Sequence, residues 1–312
     1  MMMRDLNKRD IRRGKLLYSL LRLMGYLPSW WHYGMSWCIS YLLQYVIGYR
    51  REVVRANLAN SFPEMSKSEL QKLERAFYRH LCNVGVEIVM LAAFGERRFR
   101  RHVSIENPEL IDELHRENKR IFFLLGHYGN WEWYTGCQLL LPVTEFNVTY
   151  VRQKGPWHYV LSKLRSKFGT QLMDKGEAAK MILHQRHDES NKTYIMVADQ
   201  APGIEGTELF VHFLRQYTAV VTGMDRLAKM LGAAVIYVDV ERPRLGKYRL
   251  KLVEMTRDAS QLPEHQLSKD FMQLLEKTIR RKPELWLWSH KRWKVTPELV
   301  KEHYPHKKIE MV

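Results

Sequence analysis

The sequence predicts an α/β fold: a mixed central sheet flanked by helices, behind a helical N-terminal region. Three observations predict it. From about residue 120 onward, strand-like and helix-like patterns alternate, which argues for a sheet with helical crossovers. Two β-rich runs, 235–240 and 248–255, are joined by "ERPRLGK" and read as a hairpin, so the sheet is mixed. Residues 23–49 contain no Asp, Glu, Lys or Arg and stand apart from the rest of the chain. At 312 residues the chain is ample for a large hydrophobic core.

Taken in order, the first 15 residues are mostly polar, and no small-residue cleavage site follows them, unlike a secretory leader. The 23–49 stretch is long enough to cross a bilayer. However, Pro28, His32 and several Ser, Gln and Gly residues dilute it, and its cleanest part, 35–47, is too short to span alone. Basic residues flank it at 12-RRGK-15 and 50-RR-51. An interfacial, membrane-contacting segment is favoured over a full span, with a buried core helix as the other reading. Residues 1–52 are therefore expected to form a basic and apolar membrane-associated region, and residues 53–312 the main domain. Ser66 and Glu69 form a capping-box pattern, and Leu70, Leu73, Phe77, Leu81 and Val84 follow at helical spacing. Strands are expected at 121–125, 145–151, 193–198, 235–240 and 248–255. Helices are expected near 130–140, 157–168, 176–187, 218–231 and 266–281.

The formal net charge is +16, which implies an anionic partner. Nine Trp and 16 Tyr suit a membrane interface or stacking on single-stranded nucleic acid. A nucleic-acid binding role rests on charge and aromatics alone, has no recognition motif, and is opposed by the uncharged 23–49 stretch. Cys38, Cys82 and Cys137 are scattered, as expected of a reducing compartment without a disulfide framework or structural zinc.

Chemistry concentrates in "LLGHYGNWEW" (124–133). His127 follows an apolar strand, and ligand sites in open α/β sheets lie outside the carboxyl ends of strands. With His127 in the turn and Glu132 in the first helical turn, the carboxylate can hold one ring nitrogen and leave the other as a base. There is no G-x-S-x-G nucleophile turn, so the base would activate a hydroxyl or amine brought by the substrate. Gly126 and Gly129 are expected to leave room for that substrate. A core histidine beside a helix-start glutamate fits the same spacing. Neither an H-E-x-x-H site nor a third zinc ligand is visible, and no metal or cofactor is expected.

"GHYGNWE" resembles the catalytic His-x4-acid motif of the lysophospholipid acyltransferase superfamily, and within it the lipid A late acyltransferases. "VVRANLANSFPEMSKSE" (53–69), "VADQAPGIEGTELFVHFLRQYT" (197–218) and "KPELWLWSHKRWK" (282–294) resemble further blocks of that family in the same order. The chain departs from the pattern at Gln153, where members often have proline, and in "FVHFLRQYT", where many have Phe-Phe-Gly.

The resemblance implies transfer of a fatty acyl chain from acyl carrier protein to a hydroxyl of a lipid A precursor, at the cytoplasmic face of the bacterial inner membrane. His127 would be the general base, Glu132 its orienting partner, and Arg165 and Asp199 further catalytic residues. Arg165 lies in "SKLRSKF", where Lys163 or Lys167 is the neighbouring alternative. Asn130, Arg152, Lys167 and Gln200 are candidate substrate-binding residues. The basic clusters at 279–282 and 291–294, with Arg152, Lys154, Lys163, Arg165 and Lys167, suit an acidic carrier protein, a phosphorylated lipid or an anionic membrane surface. The alternative acceptor is a lysophospholipid or an amino- or glycolipid, with acyl-CoA as a possible donor. Trp286, Trp288 and Trp293 are expected to pack the C-terminal segment onto the domain, and His184 and His187 to lie on the surface.

Overall fold

A computed structural model describes residues 7–117, 119–142, 145–187 and 192–312. The N-terminal helices are α1 (Lys8–Met24), α2 (Ser29–Tyr41) with a π-helical turn over Leu42–Val46, α3 (Arg51–Ser61), α4 (Lys67–Ala93) and α5 (Glu96–Arg100). Then follow β1 (Val103–Ile105), α6 (Glu109–Arg116), β2 (Ile121–Leu125), a 3-10 helix over Trp133–Leu140, β3 (Glu145–Tyr150), α7 (Pro156–Arg165), β4 (Gln171–Asp174), α8 (Ala178–His184) and β5 (Lys192–Val197). The C-terminal third holds β6 (Leu209–Phe213), β7 (Gln216–Val220), α9 (Gly223–Met230), β8 (Ala234–Arg244), β9 (Lys247–Thr256), α10 (Gln266–Arg281), α11 (Pro297–His303) and β10 (Glu310–Met311).

The main sheet has seven strands in the order β1-β9-β8-β2-β5-β3-β4. The β8–β9 pair is antiparallel and the other pairs are parallel, giving the mixed sheet the sequence predicts. All five residues of β2 are buried. Successive strand side chains point to opposite faces, so both faces of the sheet centre are covered. This is why β2 is an unbroken apolar run. A smaller sheet, β10-β6-β7, stands beside it. The capping box forms as expected, with Ser66 and Glu69 satisfying each other's backbone N–H.

Two expected helices are different. Residues 133–140 wind as a 3-10 helix, not the α-helix expected from 130. The expected 218–231 helix begins only at Gly223, because Gln216–Val220 pairs with Leu209–Phe213 as a hairpin. Its turn runs through Leu214 and Arg215, both with positive φ (48° and 62°). The glycine or asparagine that usually marks such a turn is missing. A carboxylate oxygen of Glu276 instead accepts the Leu214 N–H at 2.8 Å and holds the bend.

Helix α2 is inverted. Its buried side chains are polar: His32, Ser36 and Ser40, four residues apart, face inward. The Ser36 hydroxyl donates to Asn83 of α4 at 2.6 Å. Trp30, Trp37 and Tyr41 are at least half exposed on the other side, and so are Leu20 and Leu23 of α1 and Val46 and Ile47 beyond α2. Among the described residues no helix is long and apolar enough to cross a membrane.

Candidate active site

The end of β2 delivers the chain to Gly126 and His127. A Cβ on Gly126 would stand 2.7 Å from Leu275 of α10 and 3.2 Å from the Asp199 carboxylate, so only glycine lets those groups close in. Gly129 has φ +65°, and a Cβ there would collide with the Tyr134 hydroxyl and press on the Tyr248 ring. The expectation that the glycines leave room for substrate is corrected: protein side chains fill both spaces.

His127 is organised by Asp199, which follows β5, the strand beside β2. Asp199 Oδ1 lies 2.6 Å from His127 Nδ1, and Oδ2 accepts the His127 backbone N–H at 2.8 Å. Oδ2 also accepts the indole N–H of Trp286 at 2.8 Å. Burial raises the Asp199 carboxyl, but the His127 charge and the three hydrogen bonds outweigh it and hold it down to about 2. An ionised Asp199 can only accept, so Nδ1 donates to it, and Nε2 faces away from the carboxylate. The side-chain amide of Gln200 donates toward that Nε2 at 3.3 Å.

The expected Glu132–imidazole pair is therefore not the arrangement found. Glu132 instead binds Arg165 of α7 in a bidentate pair, Oε1 to Nη2 at 2.6 Å and Oε2 to Nε at 2.7 Å. Burial lowers the Arg165 guanidinium, but the hydrogen bonds and charge of Glu132 more than offset it and raise it above its ordinary value. Between the two alternatives in the 163–167 segment, Lys163 is exposed. Lys167 donates to the carbonyl oxygens of Leu91 (2.9 Å) and Ala92 (2.7 Å), closing the C-terminus of α4. Burial, then the Arg22 charge, pulls its ammonium down to about 8.

The remaining candidates divide. Gln200 stands at the imidazole. Arg152 donates to Asp174 at 2.7 Å near the end of β4. Asn130 is fully buried and donates to Glu87 of α4 at 2.7 Å, a contact that fixes the turn and leaves its side chain no exposure to solvent. His184 is exposed as expected, while the side chain of His187 lies outside the described residues.

Several organising residues escape the sequence reading. Glu87 also accepts the hydroxyls of Tyr248 (2.9 Å) and Tyr33 (3.0 Å), and its backbone oxygen accepts the Trp133 indole at 2.9 Å. The available signal is a lone acid in the apolar run "LCNVGVEIVML" (81–91). His80, two turns earlier on the same face of α4, lies 3.2 Å from the Gly129 carbonyl through Nε2 and takes Arg242 at Nδ1 (3.1 Å). Burial and the Arg242 charge pull it to about 3, so it is neutral.

The C-terminal signature closes the turn from the other side. The Gly129 N–H donates to Leu285 O at 3.0 Å, and Tyr128 bridges Trp286. Trp286 and Trp288 are buried and Trp293 is packed against the core, as expected. Asn57, from the 53–69 block, donates to Trp288 O and His290 O at 2.8 and 3.0 Å. The 197–218 and 282–294 blocks thus reach the turn directly, and the 53–69 block reaches it through the C-terminal signature.

Comparison with known proteins gives the class. The class is that of acyltransferases, and the chain is an enzyme of that class. It belongs to the bacterial lipid A biosynthesis acyltransferase family, whose model matches residues 10–295. It is 22% identical to the lipid A biosynthesis myristoyltransferase of Escherichia coli (strain K12) over 262 residues, covering 80% of this chain and 79% of that one. It is 22% identical to the palmitoleoyltransferase of the same pathway and strain over 250 residues, covering 80% of each. To the lauroyltransferase it is 24% identical over 266 residues, covering 82% of each.

Proposed function

We propose that the protein transfers a fatty acyl chain from acyl carrier protein to a hydroxyl of a lipid A precursor at the cytoplasmic face of the bacterial inner membrane. The observation that carries the chemistry is the orientation of His127, with Nδ1 held by an ionised carboxylate and Nε2 turned toward Gln200.

In this reading the acceptor hydroxyl displaces the Gln200 amide from Nε2 and gives its proton to the imidazole. Asp199 stabilises the imidazolium that forms. The hydroxyl oxygen attacks the thioester carbonyl, the C–S bond breaks, and the thiolate recovers the proton from Nε2. Arg165, fixed by Glu132 through Nε and Nη2, supplies positive charge to the oxyanion. Glu132 thus acts through the guanidinium.

The inverted α2 supports membrane association. A helix that buries serines and exposes tryptophans is suited to an apolar surrounding on its outer face. The acidic carrier protein and the phosphorylated acceptor both fit the +16 charge.

The test has two arms. The lipid A mass spectrum of a strain lacking this gene should lose one secondary acyl chain, and an unchanged spectrum would overturn the acceptor. Purified protein should use acyl carrier protein thioesters in preference to acyl-CoA, and the reverse preference would overturn the donor.

A further inference from the structure

The β8–β9 hairpin projects past the strand that carries His127. Leu124 of β2 pairs with Tyr237 of the parallel β8, so residues 239–244 run on beyond the end of β2 toward the catalytic turn. At about 3.3 Å per residue the projection is roughly 20 Å. Near its tip Tyr248 is buried, and its ring lies 3.1 Å from where a Cβ on Gly129 would stand. Tyr248 also lines a cleft of about 250 Å³ with Arg100, Arg101, His102, Lys247 and Arg249. A single tyrosine therefore touches both the catalytic turn and this cleft.

The cleft is a concentration of one charge sign. No carboxylate lines it. Arg249 pairs with Glu241 at 2.8 Å. Arg101 Nε and Lys247 Nζ donate to backbone carbonyl oxygens, of Arg97 and Arg101, which leaves their charges uncompensated. Arg100, Arg101 and Lys247 have no carboxylate partner among the described residues. Such crowding raises the free energy of the empty cleft and is relieved by an anion. Burial, then the Arg244 and Arg101 charges, depresses the Lys247 ammonium, which is the expected sign of that crowding.

Size and position narrow the anion. Sites for drug-sized ligands run from about 300 to 1,000 Å³, so this cleft suits a headgroup and not an acyl chain. Tyr33 of the inverted α2 packs its hydroxyl on Gly246 in the hairpin turn. Leu245 is 47% exposed, next to the point where α2 meets the hairpin. The cleft therefore lies where an apolar face meets a cationic rim, the level at which a membrane-borne lipid carries its phosphate.

We propose that this cleft binds the phosphate ester of the acceptor glycolipid and positions its hydroxyl at His127. The inference rests on the acyl-transfer reading above. The same phosphate chemistry is offered by bilayer phospholipids, and the experiment separates the two sources. The variants are Arg100→Gln with Arg101→Gln, and the charge-keeping Arg100→Lys with Arg101→Lys. In neutral detergent micelles, transfer is measured to a phosphorylated acceptor and to the same acceptor after phosphatase treatment. The Gln pair should raise KM for the phosphorylated acceptor about tenfold at unchanged kcat, leave the dephosphorylated acceptor unaffected, and be largely rescued by the Lys pair. Equal KM values for the Gln pair and the natural protein would overturn the proposal. So would a defect confined to co-sedimentation with phosphatidylglycerol vesicles, which would assign the cleft to the bilayer. If the natural protein acylates neither acceptor, the acyl-transfer reading fails by itself. Titration of the phosphorylated acceptor into the natural and Gln-pair proteins then still reads the cleft, and equal affinities overturn it.

Discussion

Two carboxylates near the His127 turn are buried to the same degree and behave in opposite ways. Asp199 is 3% exposed and Glu87 is 0% exposed, and each side chain accepts three hydrogen bonds. Burial raises both. For Asp199 the His127 charge and the donors reverse the effect and bring the carboxyl to about 2. For Glu87 the donors are a carboxamide and two phenols, all neutral, and burial prevails, so the carboxyl stays above its ordinary value. Three hydrogen bonds do not by themselves offset the burial of an acid; an imidazole in direct contact adds the attraction that does. The acid held low serves the imidazole, and the acid pushed up by burial ties the turn to α2, α4 and β9.

That contrast can be broken in order of expected effect. His127→Ala removes the base and should cost about 10²–10⁴-fold in acyl transfer with the far-UV spectrum intact. Near-normal turnover would end the mechanism. Asp199→Asn keeps the shape but removes the anion that fixes the tautomer, and a loss of about 10²–10³-fold is expected in single-turnover assays. Arg165→Lys cannot reproduce the bidentate pair with Glu132 and should lower kcat about 10- to 100-fold, with acceptor KM changed little. Glu87→Gln should stay within about threefold of natural activity, because burial disfavours the charge of Glu87 and the amide keeps its shape and an acceptor oxygen. Glu87→Ala leaves three donors unpaired and should destabilise by about 2–4 kcal/mol in urea melts. Loss of activity in Glu87→Gln as deep as in Asp199→Asn would mean that Glu87 is charged.

The pH dependence of stability should separate the same two acids. Asp199 titrates below its unfolded value of about 3.9, so the stability it contributes is present above that value and is lost as pH falls toward about 2. Glu87 titrates above its unfolded value of about 4.3, so its contribution is present below that value and is lost as pH rises through its folded pKa. Asp199→Asn should flatten the acid limb of a urea-midpoint profile, and Glu87→Gln the limb above it.

Much of this was visible in the sequence, and the failures have physical causes. The apolar run 121–125 marks its strand because a strand buried on both faces needs no alternation. The expected strands at 145–151 and 193–198 fall within one residue of those formed. Strands β1 and β4, of three and four residues, are too short to show a period. The β6–β7 hairpin was hidden because its turn uses Leu214 and Arg215, which a contact from α10 holds in place. At the site, His127, Asp199, Glu132 and Arg165 were all singled out, but their pairing was not. Spacing along the chain joins His127 to Glu132, five residues away. Sheet order joins it to Asp199, 72 residues away, because β2 and β5 are neighbours.

The sequence by itself determined the kinds of elements, the strand end that carries His127, and part of the set of polar groups near it, since these follow from local pattern and from which residue types can move a proton. Only the tertiary structure decided which carboxylate serves which cation, which acid keeps its charge, and that α2 turns its serines inward. Those outcomes depend on distances of a few ångströms between segments remote in the chain, and electrostatic energies in a low-dielectric interior are set by such distances.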